Sequence, residues 1–411
     1  MAATCALVGS SAAAPAEATE IDASLLFWTE GSRVTVNEAV VNLHKTLRHE
    51  RTLDFSFVVD EMTGASHNGA TRSNEVQTFT RASGAGGYVI QPDQTPVDDT
   101  FQDNRFALSG TFGVPLGRHS RASVGAYYSV EYDYQSVGGD TKWSRDFNRR
   151  NTTIAIAAAV AWDQLTPQGG IPVPFASMNA PGVEPARCNR LDDRIVSDVL
   201  LSLTQVLNRS TLLRVNYSLN YASGYHTDPF KLLSVVDTAP GPAQGDPVDY
   251  VFEHRPDTRL RHSVYGAFRH HFTRDVIDLS YRFMTDDWGV DSHTAEVRHR
   301  LQFSGRRYIE PQYRFYTQTA TDFYSVFLRN DAATPEFASA DLRLAPFDAH
   351  TIALKAGKAI GEIHEVNLRI GYYKQLGDRS PPEAFGNLRS LNLFPVVGAY
   401  MIQVGYTAWI N

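Results

Sequence analysis

Polar and apolar positions alternate strictly through four consecutive segments between Arg259 and Gln318. The first, Arg259 to His271, sets Arg259, Arg261, Ser263, Arg269 and His271 on one face and Val264, Gly266 and Phe268 on the other. Beyond Thr273-Arg274-Asp275, Ile277, Leu279, Tyr281 and Phe283 alternate with Asp278, Ser280, Arg282 and Asp286. From Thr294, Ala295, Val297, Leu301 and Phe303 oppose Glu296, Arg298, Arg300 and Gln302. After Gly305, Ile309, Pro311, Tyr313 and Phe315 oppose Glu310, Gln312, Arg314 and Gln318. A period of two is that of a β-strand. The segments run about 10 to 14 residues where a globular strand is about 5–6. A strand tilted across a membrane needs about 9–11. The pattern therefore predicts membrane-spanning strands with a charged lumen face and an apolar lipid face.

The same alternation predicts strands elsewhere. Leu25–Thr29 and Val34–Thr46 flank a hairpin turn at Glu30-Gly31-Ser32-Arg33. Arg51–Asp60 follows, and then Thr63 to about Asn104 reads as a long external loop. Phe106–Val114 returns, and Ala122–Tyr134 alternates without a break. A polar loop to Arg150 and a strand Thr152–Trp162 come next. Asp163–Asp193 is Pro-rich and loop-like. Ile195–Val206 and Thr211–Tyr221 form a hairpin, and Ala222–Pro256 is another loop. Beyond the four-strand ladder, Thr319–Phe337 reads as a loop. Ser339–Leu344, Thr351–Ala359, Glu365–Leu376 and Val396–Asn411 read as strands. The expected fold is all-β: a transmembrane, antiparallel, up-and-down β-barrel of about 16 strands (14–18), with short periplasmic turns and long external loops.

Composition fits one large barrel as well as two or three soluble domains: 411 residues, net charge −7, 43% hydrophobic and a mean hydropathy of −0.28. The longest apolar run, Ile154–Trp162, is far too short for a spanning helix. The mild acidity argues against nucleic acid as a partner. Cys5 and Cys188 lie far apart, so there is no disulfide framework, and no CxxCH binds haem. Residues 1–20 read as the remnant of an export signal and its linker, with Ala12-Ala13-Ala14 resembling a cleavage site. Residues 21–411 then form a single barrel domain in the bacterial outer membrane.

Candidate chemistry is sparse, and no cofactor is expected. Asp286, Asp287 and His293 lack any diagnostic metal spacing, so a polar hairpin tip is the simpler account. His270 and His271 point to opposite faces. His226 with Asp228, and the stretch Gly64 to Ala70, are explained by turn chemistry. No nucleophile–base pair stands in an interpretable context, so the chain does not read as an enzyme. The charged face is the main functional feature: Arg261, Arg269, Asp278, Arg282, Asp286, Glu296, Arg298, Arg300, Glu310 and Arg314. Opposite charges on neighbouring strands would pair across the lumen wall. Gln403, Gly405, Ala408 and Ile410 fit a terminal polar-x-Gly-x-x-apolar-x-apolar pattern. That resembles the signal read by the barrel-assembly machinery, which with outer-membrane lipid is an expected partner.

The stretches Thr63–Ala70, Gly224–Phe230, Asp286–Gly289 with Ser292–Thr294, and Gln312–Tyr316 through Asp322–Tyr324 resemble the DUF3570 family. The likeness covers about Ala23 to Asn411 and departs from many relatives at His67. It implies an outer-membrane barrel of unknown function. The family's genes often neighbour those of a flavin transferase, a small lipoprotein and thioredoxin-like proteins. That setting implies envelope redox proteins or a small lipoprotein as partners. The leading expectation is a structural barrel serving an envelope assembly. A porin-like channel for small, anionic solutes is the second, and a secreted β-sandwich enzyme or binding module the third.

Overall fold

The computed structural model describes residues 19–31, 33–81, 86–183 and 186–410, without the side chains of residues 99–101. Sixteen antiparallel strands close into one barrel. They are β1 (Thr19–Thr29), β2 (Val34–Leu47), β3 (Arg51–His67), β4 (Val97–Pro115), β5 (Ser120–Val130), β6 (Tyr134–Phe147), β7 (Thr152–Leu165) and β8 (Asp192–Asn208). The second half comprises β9 (Thr211–Gly224), β10 (Thr258–His271), β11 (Val276–Asp286), β12 (Asp291–Phe303), β13 (Arg307–Gln318), β14 (Phe347–Ile360), β15 (His364–Gly377) and β16 (Val397–Ile410). Each strand pairs with its neighbours in the chain, and β16 pairs with β1 from Thr29↔Tyr400 to Thr19↔Ile410. All turns at the end that carries both termini are short, and every long connection lies at the other end. The first is the periplasmic end and the second the external one.

Large apolar residues stand exposed around the outside: Leu25 at 64%, Val124 at 60% and Ile352 at 62%. In water such a belt would be a large exposed apolar surface; here lipid covers it. Lumen positions carry small residues where the wall needs room. The Tyr308 ring lies against Gly357, where a Cβ would come within 2.3 Å of it. The described chain contains no helix long and apolar enough to cross a membrane, which says nothing against strands.

Three expectations change. Ala122–Tyr134 is not one strand: β5 stops at Val130 and the chain turns through Glu131–Asp133. The polar stretch after it is β6, not a loop. Tyr132 and Tyr134 keep the parity of β5 through the turn, so alternation alone hides the break. This extra strand also makes the count even, at 16. Ser339–Leu344 is not a strand but part of the loop 319–346. Some strands are also longer than the alternation implies: at the external end β3 runs to His67 and β4 starts at Val97, and at the periplasmic end β1 starts at Thr19. Residues 1–18 of the expected signal remnant lie outside the described residues.

Five long connections cover the external end. They bear small sheets of their own: Gln77–Thr80 with Gly87–Ile90, Ile171–Pro172 with Arg187–Asn189, and Leu232–Val236 with Pro247–Phe252 and Leu328–Arg329. They form three compact apolar cores. One gathers Val236, Phe327, Leu388 and Leu391; another Phe79, Leu232 and Phe252; the third Leu233, Val251 and Ala338. The β3–β4 loop bonds to the β9–β10 loop through Thr71 N to Ser234 Oγ at 3.0 Å. Those loops leave the ring six strands apart, so their contact spans the mouth as a roof.

The facing is testable. Cysteines at Val124, Tyr128, Tyr217 and Leu279 should react with a lipid-phase maleimide. Cysteines at Arg214, Arg282 and Arg314 should react only with a water-soluble one. Equal labelling of the two sets would contradict the barrel.

Candidate functional site: the lumen wall and its roof

The lumen face follows from the register. On β10–β13 it carries Arg259, Arg261, Arg269, Asp278, Arg282, Asp286, Glu296, Arg298, Arg300, Glu310 and Arg314. Arg194 and Arg214 join them from β8 and β9, and Lys355 and Arg369 from β14 and β15. The register sets Arg261 opposite Asp286, Arg269 opposite Asp278 and Glu296 opposite Arg314. Side chains form fewer cross-strand pairs than that. Arg269 Nε bonds Asp278 Oδ1 at 2.5 Å. Asp286 is taken by Arg259, whose Nε donates at 2.8 Å, while Arg261 donates to Asn220 Oδ1 at 2.9 and 2.6 Å. Glu296 pairs along its own strand with Arg298 at 2.8 Å. Arg300 stacks 3.5 Å from the Tyr308 ring centroid, and Tyr308 donates to Glu365 at 2.7 Å. Arg282 leans over Tyr265. Arg282 and Arg314 are exposed and have no ion pair among the described residues. Lys355 stands between Glu310 on β13 and Arg369 on β15, opposite charge on one side and like charge on the other.

The far wall is acidic, which sequence reading missed because its strands had not been aligned with one another. Asp22, Glu38, Asp54, Asp60 and Asp103 face the lumen from β1 to β4. Arg105 pairs with Asp60 at 2.6 Å and His44 with Asp54 at 2.5 Å. In the β5–β6 turn, burial and then the Asp103 carboxylate push Glu131 up to about 7 and Asp133 up to about 6. A basic wall thus faces an acidic one across the lumen.

The roof holds the most buried charges. Glu253 is 0% exposed; its carboxylate accepts from Asp228 N at 2.7 Å and from Ser339 Oγ, and lies 2.6 Å from Arg255 Nε. Arg255 Nη2 reaches Asp341 at 2.8 Å, and Arg343 bridges Asp341 at 2.5 Å and Asp228 at 2.8 Å. Lys231 donates to the His67 carbonyl. These links tie three loops into one body. Burial opposes the Asp341 charge, yet Arg343, Arg255 and Lys231 outweigh it and hold its carboxyl well below the usual range. Glu253 is pushed up, since burial there exceeds the help of Arg255.

The remaining candidates resolve into turn chemistry. Asp286 Oδ1 accepts from Trp288 N at 3.1 Å and Val290 N at 2.9 Å, shaping a turn completed by Gly289 at φ 85°. Asp287 caps Leu260 N at 2.9 Å, and His293 is on the lipid face bonded to Tyr281. The three do not converge, and among the described residues no cluster could hold a metal. His270 bonds Thr211 from the lipid side, away from His271. His226 bonds Gly224 O at 2.7 Å, and burial lowers its ring to about 4. Asp228 closes a turn onto Phe230 N and serves the roof. Amides that might hold an anion near Gly69 are filled from within: Gly69 N by His67 Nδ1 and Ala70 N by Asn68 Oδ1. Cys188 is a free thiol in an external loop.

At the closing strand, Ile402, Val404 and Ile410 face lipid while Gln403 and Gly405 face inward. Ala408 takes the lipid-side parity but is buried, and a Cβ on Gly405 would meet Asn367 at 2.7 Å. A family model described as a protein of unknown function, DUF3570, matches residues 1–408. The chain belongs to the DUF3570 family. This member has the 16-stranded barrel and the apolar outer belt of a bacterial outer-membrane protein. Among solved structures it is similar to a bacterial polysaccharide outer-membrane secretin (6% identity, TM-score 0.46, covering 96% of this chain and 98% of that one). It is also similar to OccK3 (OpdO) of Pseudomonas aeruginosa (7%, TM-score 0.41, 96% and 95%). A third is the TodX monoaromatic hydrocarbon channel lacking S2 and S3 (10%, TM-score 0.39, 97% and 91%). No curated protein matches.

The roof makes opposite predictions for two acids. Asp341→Asn should leave Arg255 and Arg343 underpaired and cost about 3–5 kcal/mol. Glu253→Gln removes a charge that burial already disfavours and should cost far less. Hydrogen exchange over residues 319–346 reads both. The Asp341 contribution is complete above its unfolded value of 3.8 and is lost as pH falls through its lower folded value. The loops should therefore stay docked at pH 5 and loosen only in stronger acid.

Proposed function

We propose that the protein is an outer-membrane channel for small anionic solutes, with a roofed external mouth. One observation carries the reading: the lumen-facing guanidiniums of Arg282 and Arg314 are exposed and make no ion pair among the described residues, on a wall richer in arginine than in acid. An interlocked, dry lumen would bury such groups in ion pairs. Water-filled lumens keep them open, and a basic wall then favours anions. The acidic wall opposite adds a transverse field, which orders solutes with separated charges.

Planar bilayers test it. The reversal potential in a KCl gradient should report anion preference, reduced or reversed by Arg314→Glu with Lys355→Glu. Acidification from pH 7.5 to 5.5 protonates Glu131 and Asp133, removes negative charge and should strengthen that preference. Glu296→Ala should change stability by only about 0–1 kcal/mol, as expected for a solvated pair. A large loss of stability without current would favour a plugged scaffold for envelope redox proteins or a small lipoprotein.

We also infer that β16 carries the assembly signal. Gln403, Gly405, Ala408 and Ile410 stand on the strand that must find β1 last. Deleting 406–411 should leave degraded, uninserted protein in the periplasm; normal insertion would remove the idea.

A further inference from the structure

Four tyrosine–histidine pairs stand on the lipid face, each joined diagonally across neighbouring strands. Tyr217 bonds His262 Nδ1 at 2.8 Å, Tyr281 bonds His293 Nδ1 at 2.6 Å and Tyr313 bonds His350 Nδ1 at 2.9 Å. The fourth, Tyr406 with His364 at 2.8 Å, lies alone at the periplasmic rim. The first three share one level. His262 stands nine residues from His271, and His293 and His350 each stand ten from the periplasmic ends of β12 and β14. The register descends in step: His262 faces Thr285, two past the Phe283 that faces His293, and His293 faces Thr317, two past the Phe315 that faces His350. Strand tilt turns that staircase into a ring parallel to the membrane. At a rise of about 3.3 Å and a tilt of about 40°, nine or ten residues climb roughly 23–25 Å, the height of the apolar band. The three imidazoles therefore sit where external lipid headgroups begin, with apolar wall below them.

Each bond orients its ring and engages Nδ1, leaving Nε2 on the opposite edge. Where the phenol donates to Nδ1, the neutral ring carries its hydrogen on Nε2. Nε2, on the opposite ring edge, has no partner among the described residues. Phe283 and Phe315 brace two of the rings, with centroids 5.1 and 5.3 Å away. We propose that His262, His293 and His350 form a ring of Nε2–H donors that binds the phosphate groups of external-leaflet lipids along the β9–β14 wall. Phosphate supplies strong acceptor oxygens that select the Nε2–H tautomer, and a ring held in one orientation loses little freedom on binding. This proposal does not depend on what crosses the lumen.

The test uses the full-length protein in a maltoside detergent, which carries no phosphate. Retention of dioleoyl phosphatidic acid is measured by native mass spectrometry, with dioleoylglycerol as the phosphate-free lipid. The wild type should retain phosphatidic acid preferentially. Replacing all three histidines by phenylalanine should weaken that retention on the order of tenfold, the loss of charge-assisted bonds. A Tyr217, Tyr281 and Tyr313 to phenylalanine triple keeps the rings and the packing but removes the bond that orients each imidazole, so it should fall in between. It also serves if the histidine triple folds poorly. Val124→Phe on the far wall should retain lipid like the wild type. Equal retention of the two lipids by the wild type would overturn the proposal. So would unchanged retention in both triples, or displacement by inorganic phosphate, which would make the ring a site for soluble anions.

Discussion

In hydrocarbon a backbone N–H or C=O has no water to turn to, and each one left unpaired costs several kcal/mol. The pairing of β16 with β1 is the interaction on which everything else depends. Without it the remaining strands would present two open edges to lipid. With it, Leu25, Val124 and Ile352 face lipid on strands whose backbones are paired on both sides around the ring. Alternation follows from closure: once one face of each strand meets lipid, the other must meet the lumen.

That constraint moves the conventional core out of the barrel. A ring of 16 strands is too wide for side chains to fill, so its interior is a lined space. Tight apolar packing occurs instead in the loops, around Phe79, Leu233 and Leu388, and the deepest ionic network lies there too. The barrel's stability comes from its hydrogen-bonded wall. The roof's comes from a small globular core and the pairs around Asp341. The two can therefore respond separately: a change that loosens the roof need not strain a strand.

Much of the barrel was legible because lipid and lumen impose opposite demands on adjacent residues. The ladder from Arg259 to Gln318 appears in the sequence as it stands in the structure, to within three residues at the strand ends. β6 was not legible, since Gly139 and Thr141 in the middle of its outer face separate Val137 from Trp143 and Phe147 and interrupt the apolar half of the signal. Ser339–Leu344 misled in the other direction. Its alternation comes from Asp341 and Arg343 turning into a buried ion network, not from a sheet.

The charged wall was legible as a list but not as an arrangement. Sequence places Arg261 near Asp286 and Glu296 near Arg314, and register does set them opposite. Which partner each takes is decided by reach and by competition. Asp286 sits at the external end of β11, fixed by two turn amides, within range of Arg259, so Arg261 turns to Asn220. Glu296 finds Arg298 two residues along its own strand and leaves Arg314 without an ion pair among the described residues. Each substitution of a neighbour for the expected partner releases one cation into the lumen. The basic field of the wall thus arises from local competition for a limited number of carboxylates, which no count of charges along the sequence reveals.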